Sequence, residues 1–254
     1  MSLFDMHGQN VLLTGSSKGI GKAIAQQMAR LGANVVISSR KGDVCRAVAD
    51  EINAEGGGRA VDIPCNISDV DQLKMLVAKT REALGDIHVL ICNAAVNPYF
   101  GPSIDLPESA FEKILRVNVM SNQWLCNLVV PEMRTRKDGS IIVVSSIAAF
   151  HGSTDLGAYA ISKAADLALV RNLAVEYGPD NIRVNAICPG LVKTDFARAL
   201  WENPEILKGA TSGAPLRRIG EPDEIAGAAI LLASRAGTFL TGQAITVDGG
   251  RCAV

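Results

Sequence analysis

Val11-Leu12-Leu13-Thr14-Gly15-Ser16-Ser17-Lys18-Gly19-Ile20-Gly21 is the stretch that decides the fold. Three apolar residues of strand type run into a turn carrying three glycines, and residues 20–31 continue with helical periodicity. A strand, a glycine-rich turn and a helix N-terminus together make an anion cradle, because backbone N–H groups and the helix dipole converge on a phosphate. Gly15 permits the tight turn, while Gly19 and Gly21 let backbone approach a pyrophosphate and let the helix pack on its strand.

Similar apolar, β-branched runs recur at 35–37, 88–92, 141–144, 184–187 and 244–247, with a fainter one at 59–63. Helical patterns lie between them: one opens on the capping signal Ser68-Asp69-Val70-Asp71, and others cover 105–130, 157–177 and 221–233. Gly56-Gly57-Gly58 reads as a helix stop before the third strand. Strict alternation of strand and helix predicts an α/β protein, a parallel sheet of about seven strands covered on both faces. Right-handed crossovers make this a doubly wound, Rossmann-type sheet with its ligand site at the carboxyl ends of the strands. No stretch reads as a linker or repeat, so residues 1–254 are expected to form one domain. Residues 191–216 break the alternation and carry Phe196, Leu200, Trp201 and Pro204, and a segment of that length in a compact domain is usually functional.

With 48% hydrophobic and 20% charged residues the chain is a folded globule. Its net charge of -1 and scattered Lys and Arg point to neither nucleic acid nor a membrane surface as a partner. The longest apolar runs fall well short of the ~20 residues a membrane helix needs. Residues 1–7 lack the basic start and apolar core of a signal peptide, so a cytoplasmic location is expected. The cysteines at 45, 65, 92, 126, 188 and 252 show no CxxC pair and no ligand spacing with the histidines. They read as small hydrophobes in a reducing compartment, and no metal is expected.

Tyr159 and Lys163 stand four residues apart in Ala158-Tyr159-Ala160-Ile161-Ser162-Lys163 and share one helix face. A phenol beside an ammonium can exchange a proton with a carbonyl or alcohol near neutral pH. Together with the 14–21 turn, Asn93-Ala94-Ala95 after a strand, Asn118, Ser146 and Pro189-Gly190, the pair stands in the order and spacing of the short-chain dehydrogenases/reductases, which the chain resembles over nearly its whole length. Within that family the runs 93–101, 129–133 and 145–150 are most similar to NADP-dependent carbonyl reductases and retinol dehydrogenases.

The resemblance implies an NADP(H) cofactor. Gly15, Ser17, Lys18, Gly19, Ile20 and Gly21 would lie along its phosphates, with Asn93 and Ala94 beside the adenosine and Asn66 on adenine. Where an NAD site places a carboxylate, the second strand ends Ser38-Ser39-Arg40-Lys41. Ser39 and Arg40 then face a 2'-phosphate, Arg40 in a bidentate contact, and Lys18 supplies a second cation. Pro189, Gly190 and Thr194 would wall the nicotinamide pocket, and 191–216 would be the substrate lid. Cys92 and Ala95 depart from the family's Asn-Asn-Ala-Gly motif, while Asn93 keeps its sheet-bracing place.

For catalysis the resemblance makes Tyr159 the proton donor, Lys163 its activator and ribose holder, and Ser146 the substrate-orienting hydroxyl. Asn118 would fix a water that passes protons onward. Ser145 is the neighbouring candidate, and the thirteen-residue separation from Tyr159 favours Ser146. His88 reads as a packed boundary residue and His151 as a residue of the pocket rim. Relatives imply a homotetramer of D2 symmetry built on 105–130, 157–177 and 244–247. The apolar set Val96, Pro98, Tyr99, Phe100, Ile147, Ala149, Phe150, Leu191, Phe196, Leu200 and Trp201 predicts a small-molecule carbonyl or alcohol substrate of apolar or aromatic character. Two alternatives stand beside this reading. One is a 3-oxoacyl-[acyl-carrier-protein] reductase using Arg134, Arg136 and Lys137 against the acidic carrier, and the other is a non-catalytic NADP-binding sensor or scaffold, which the complete Asn, Ser, Tyr and Lys set disfavours.

Overall fold

Strand β1 (Asn10–Thr14) is buried along its whole length, with Leu12 facing one layer of helices and Val11 and Leu13 the other. That two-residue alternation between two apolar layers is what a central strand of a doubly covered sheet requires. The computed structural model describes residues 2–253 and contains β2 (Asn34–Ser38), β3 (Ala60–Asp62), β4 (Val89–Cys92), β5 (Gly139–Val144), β6 (Ile182–Pro189) and β7 (Ala244–Val247). All seven strands pair in parallel in the order β3-β2-β1-β4-β5-β6-β7. The chain winds outward from β1 in one direction and from β4 in the other, so their carboxyl ends part and leave a crevice. Thr14 stands opposite Ser38 and Leu13 opposite Ile91, which brings the glycine turn, Arg40 and Asn93 to that one edge.

On one face lie α1 (Gly19–Arg30), α2 (Gly42–Glu55) and a late helix at Pro222–Ala233, burying Ile24, Met28, Ile52, Ile225 and Leu232. The other face is covered by α3 (Val70–Leu84), α5 (Ser121–Arg136) and α6 (Gly157–Tyr177) through Leu73, Leu76, Leu125, Val129, Leu167 and Val170, with α4 (Glu108–Leu115) preceding α5. Each fully buried aliphatic of this kind contributes about 1.5–3 kcal/mol. Two short helices, α7 (Arg198–Trp201) and α8 (Pro204–Ser212), lie within 191–216, which makes Pro222–Ala233 helix α9. The fold is thus the expected single-domain Rossmann-type sheet, and Gly56 ends α2 with a φ of 79°.

The cap of α3 falls within the expected signal, on Asp69, whose carboxylate accepts the N–H groups of Asp71 and Gln72. One expectation about the helices needs correction. The stretch 105–130 is not one helix. Pro107 keeps the chain extended until α4 begins at Glu108, a π turn at Arg116–Met120 joins α4 to α5, and α5 runs through Pro131 to Arg136. Burial of Val129, Val130 and Met133 outweighs the roughly 3 kcal/mol that an interior proline costs. Among the described residues no helix is long and apolar enough to cross a membrane, and no cluster of three His, Cys, Asp or Glu could hold a metal.

Candidate active site

The glycine turn is built to leave room. A side chain on Gly21 would strike the Gly15 carbonyl oxygen, and one on Gly15, whose φ is 67°, would meet the Ala94 backbone at 2.9 Å. Asn93 Nδ2 donates to the carbonyls of Thr14 and Gly15 at 3.0 and 3.1 Å, tying the end of β4 to the turn. No side chain caps α1, whose N-cap is Lys18, so the first amides around Gly19 and Ile20 keep their donors for an anion. Ser17 is half-buried beside them. These features fit a dinucleotide's phosphates: an uncapped helix start and a turn any Cβ would fill.

At the end of β2, Arg40 is exposed and makes no ion pair with the described residues, and Ser39 Oγ lies 3.1 Å from Cys45 Sγ. Lys18 is also exposed and lies 3.4 Å from Asp195. Asn66 turns its side-chain oxygen onto the Ser68 amide and hydroxyl at 3.2 and 2.9 Å, leaving only its amide nitrogen for a ligand.

Helix α6 carries Tyr159 and Lys163 on one face, with Lys163 Nζ 5.7 Å from the phenol ring centroid. Lys163 is almost wholly buried and donates to the Val144 carbonyl at 3.0 Å and to Asp166 Oδ2 at 3.1 Å. Burial works against its ammonium, but the Asp166 carboxylate and the neighbouring Tyr159 more than reverse this and hold the lysine pKa above its usual value. Ser146 follows β5, and its Oγ accepts the Ala148 N–H at 3.1 Å. The Ser145 hydroxyl is spent on the Lys163 carbonyl at 2.9 Å, so of the two serines Ser146 keeps its proton for a ligand. Pro189 ends β6 opposite Val247, and a side chain on Gly190 would strike the Asp248 backbone at 2.8 Å.

Asn118 sits inside the π turn and is fully buried. Its side chain accepts the Val96 N–H at 2.9 Å and donates to the Val96 carbonyl and to Ser162 Oγ, both at 3.0 Å. It makes no direct hydrogen bond to Tyr159 or Lys163 among the described residues, and instead clamps the loop after β4 onto α6. Sequence reading missed Asp166 and Asn122, which join Lys163 to the Asn118 carbonyl: Asn122 Nδ2 donates to Asp166 Oδ1 at 3.0 Å and to Asn118 O at 2.6 Å. Burial raises the Asp166 pKa against the pull of Lys163. The available signal was a lone carboxylate in the apolar run Ala164-Ala165-Asp166-Leu167, three residues after Lys163 and therefore on its face.

Above the phenol lies the 191–216 segment. Phe196 stacks obliquely on Tyr159, ring centroids 6.1 Å apart, Trp201 Nε1 donates to the Thr194 carbonyl at 2.8 Å, and Thr194 packs against Gly19. Phe196 is exposed beside the phenol, and Phe100 and Phe150, in the loops that follow β4 and β5, are exposed as well. His151 is exposed, with Nε2 3.3 Å from Cys252 Sγ, a contact across 101 residues of chain that no local pattern marks. His88 is half-buried just before β4 and accepts the Asn10 N–H at 3.0 Å.

Residues 15–251 match the profile of a family described as Enoyl-(Acyl carrier protein) reductase. Dehydrogenase/reductase SDR family member 4 of Bos taurus is 44% identical over 94% of this chain and 85% of its own length. The Homo sapiens protein of that name is 42% identical over 94% and 86%. Among solved structures, a 7 alpha-hydroxysteroid dehydrogenase complexed with NADH and 7-oxo glycochenodeoxycholic acid superposes with a TM-score of 0.93 at 38% identity, over 97% of this chain and 95% of that one. A putative NAD(P)-dependent gluconate 5-dehydrogenase from Beutenbergia cavernae with bound NADP gives 0.94 at 31% identity over the full length of both. Sequence, fold and the placement of Tyr159, Lys163 and the glycine turn agree, and the chain belongs to the short-chain dehydrogenase/reductase (SDR) family of oxidoreductases.

Proposed function

We propose that this protein is an NADP(H)-dependent oxidoreductase acting on a carbonyl or secondary alcohol, with an apolar or aromatic ketone, aldehyde or dicarbonyl as substrate. The observation that carries the reading is Tyr159 above a buried Lys163, beside an uncapped helix start and the free Ser146 hydroxyl. NADP(H), when bound, supplies or accepts the hydride. Tyr159 holds the proton that moves on or off the substrate oxygen. Ser146 orients that oxygen, and Lys163 places a positive charge below the phenol. Asn118 serves by holding Val96 and Ser162 in register around the pair.

Preference for NADP(H) over NAD(H) rests on Arg40 and Lys18, with Ser38 and Ser39 standing where a carboxylate would repel a 2'-phosphate. Solved relatives carry NADH in one case and NADP in another, so kinetics must choose. An apolar substrate is supported by the exposed Phe196 beside Tyr159 and by the exposed Phe100 and Phe150 on the loops after β4 and β5, since covering a hydrophobic ligand contributes roughly 25 cal/mol per Å². Within this proposal 191–216 is the lid, and a homotetramer is supported by Ile161 and Val175, exposed on α6, and by Phe239, fully exposed before β7. Against the carrier-protein reading, Arg134 and Lys137 are paired with Asp180 and Arg136 with Asp86, which leaves them fewer charges for an acidic partner. Following reduced-nicotinamide absorbance with aromatic diketones, long-chain aldehydes, sugars and acetoacetyl thioesters tests the proposal. No turnover with NADPH bound would favour the sensor or scaffold reading, and the highest kcat/KM on sugars or the thioester would overturn the substrate class.

A further inference from the structure

Asp166 is a fully buried carboxylate one helical turn beyond Lys163, and the roles proposed above make no use of it. A carboxylate and an ammonium taken out of water are costly unless they pair and complete their hydrogen bonds. Here they do both. Lys163 Nζ divides its bonds between Asp166 Oδ2 and the Val144 carbonyl at the end of β5. The other carboxylate oxygen takes the Asn122 amide, which reaches back one helical turn to the Asn118 carbonyl inside the π turn. Strand β5, the π turn, α5 and α6 are thereby joined through one ion pair.

The titratable groups around this pair are few. Tyr159 and Asp166 on α6 and Cys188 on β6 face Lys163, while Cys92 on β4, with the free thiol of Cys126 on α5 beside it, faces Asp166. Both Cys92 and Cys188 keep their protons: the Cys126 side chain and burial hold Cys92 well above the thiol range, and burial pushes Cys188 up to about 11. Asp166 is therefore the one carboxylate facing Lys163 among the described residues.

We infer that Asp166 is a positioning residue for the Tyr159–Lys163 pair, fixing Lys163 beneath the phenol and keeping it an ammonium at pH values where a buried lysine would otherwise give up its proton. The inference rests on the catalytic reading of Tyr159 and Lys163. A buried lysine that loses its counter-charge becomes a weaker base, so catalysis that needs the ammonium should fail earlier as pH rises.

The test is the pH profile of kcat/KM for alcohol oxidation and carbonyl reduction in wild type, Asp166→Asn and Asn122→Ala, with melting temperature recorded for each. The alkaline limb is expected to move down by about one pH unit or more in Asp166→Asn. Asn122→Ala, which weakens the carboxylate's hold, is expected to move it by less in the same direction. Profiles that superimpose on wild type after scaling, with only a lowered melting temperature, would make Asp166 a structural residue and overturn the inference. Should Asp166→Asn not fold, Asn122→Ala decides alone by the same criterion. Failure of the underlying reading looks different: wild type without turnover, or an active Tyr159→Phe, removes the catalytic pair and Asp166 with it, whereas an inert Tyr159→Phe beside unmoved alkaline limbs removes Asp166 alone.

Discussion

The base of the site and the segment above it are built in opposite ways. Below the phenol, Lys163, Asp166, Asn122, Asn118 and Ser145 are buried and paired with one another or with backbone. Above it, Phe196 and Ile206 are exposed, the Trp201 indole bond stays within 191–216, and the attachments of that segment to the body include backbone hydrogen bonds near its two ends and a long ion pair between Lys18 and Asp195. Exposed ion pairs contribute ~0–1 kcal/mol, and segments with so little buried contact open at low cost. The proposed chemistry thus rests on a close-packed polar network, while the surface proposed to select a substrate is loosely seated on it. Damage to the first should appear in kcat, and damage to the second in KM and selectivity.

The largest expected effect breaks the base. Tyr159→Phe removes a proton donor but keeps the ring beside Phe196, so turnover should fall ~10²- to 10⁴-fold with NADPH binding nearly intact by fluorescence titration. More than about a tenth of wild-type rate would end the assignment. Next comes cofactor choice at the end of β2. Replacing Arg40 by Ala and Ser39 by Asp together should cut the kcat/KM ratio of NADPH to NADH by about tenfold or more, since one or two charge-assisted hydrogen bonds at ~1.5–3 kcal/mol are lost. A wild type that already favours NADH would make Arg40 a bystander. Trp201→Ala sharpens the contrast from above: losing the bond to the Thr194 carbonyl, worth ~0.5–1.5 kcal/mol, should raise KM for aromatic substrates about two- to tenfold and leave kcat within about twofold. An unchanged KM would detach the 191–216 segment from substrate binding.

The smallest effect belongs to the far end of the sheet. Burial first, and the Arg136 cation second, lower the His88 pKa, and its ring accepts the Asn10 amide in the neutral form. The unfolded chain then binds the proton more readily, so His88 contributes stability above pH ~6.5 that is lost as pH falls through its lowered folded value. Melting temperature should decline less steeply from pH 7.5 to 5 in His88→Gln than in wild type. Identical slopes would show the ring to be immaterial.

What could be read from sequence follows from how local each device is. Gly15, Gly19 and Gly21 do their work within seven residues, and Tyr159 and Lys163 within one helical turn, so their spacing alone marked them. Strand β1 betrayed itself because a doubly covered strand must be apolar on both sides. Asp166 carried a weaker mark: its spacing set it on the lysine's face, but the pairing became evident only when Asn122 arrived from α5, 44 residues away in sequence. The break at 116–120 had no local mark, because Asn118 is drawn by Val96 and Ser162, and neither is its sequence neighbour. Helix α5 passes Pro131 for the same kind of reason, packing against the sheet overriding a local penalty.

The π turn at Arg116–Met120 is, in effect, one residue too many for a helix, and that surplus sets phase. Each residue of an α-helix advances the chain by about 100°, so deleting one between 116 and 120 would let α4 and α5 run on as a single regular helix while swinging one against the other by about that angle. Asn122 would leave Asp166, and Trp124 would leave the Arg116 guanidinium now 5.1 Å from its ring centroid. By local measures the shortened chain is the better helix former. A designer optimising this stretch for helicity alone would remove the surplus and separate Asn122 from Asp166, leaving the groups around the lysine wired differently.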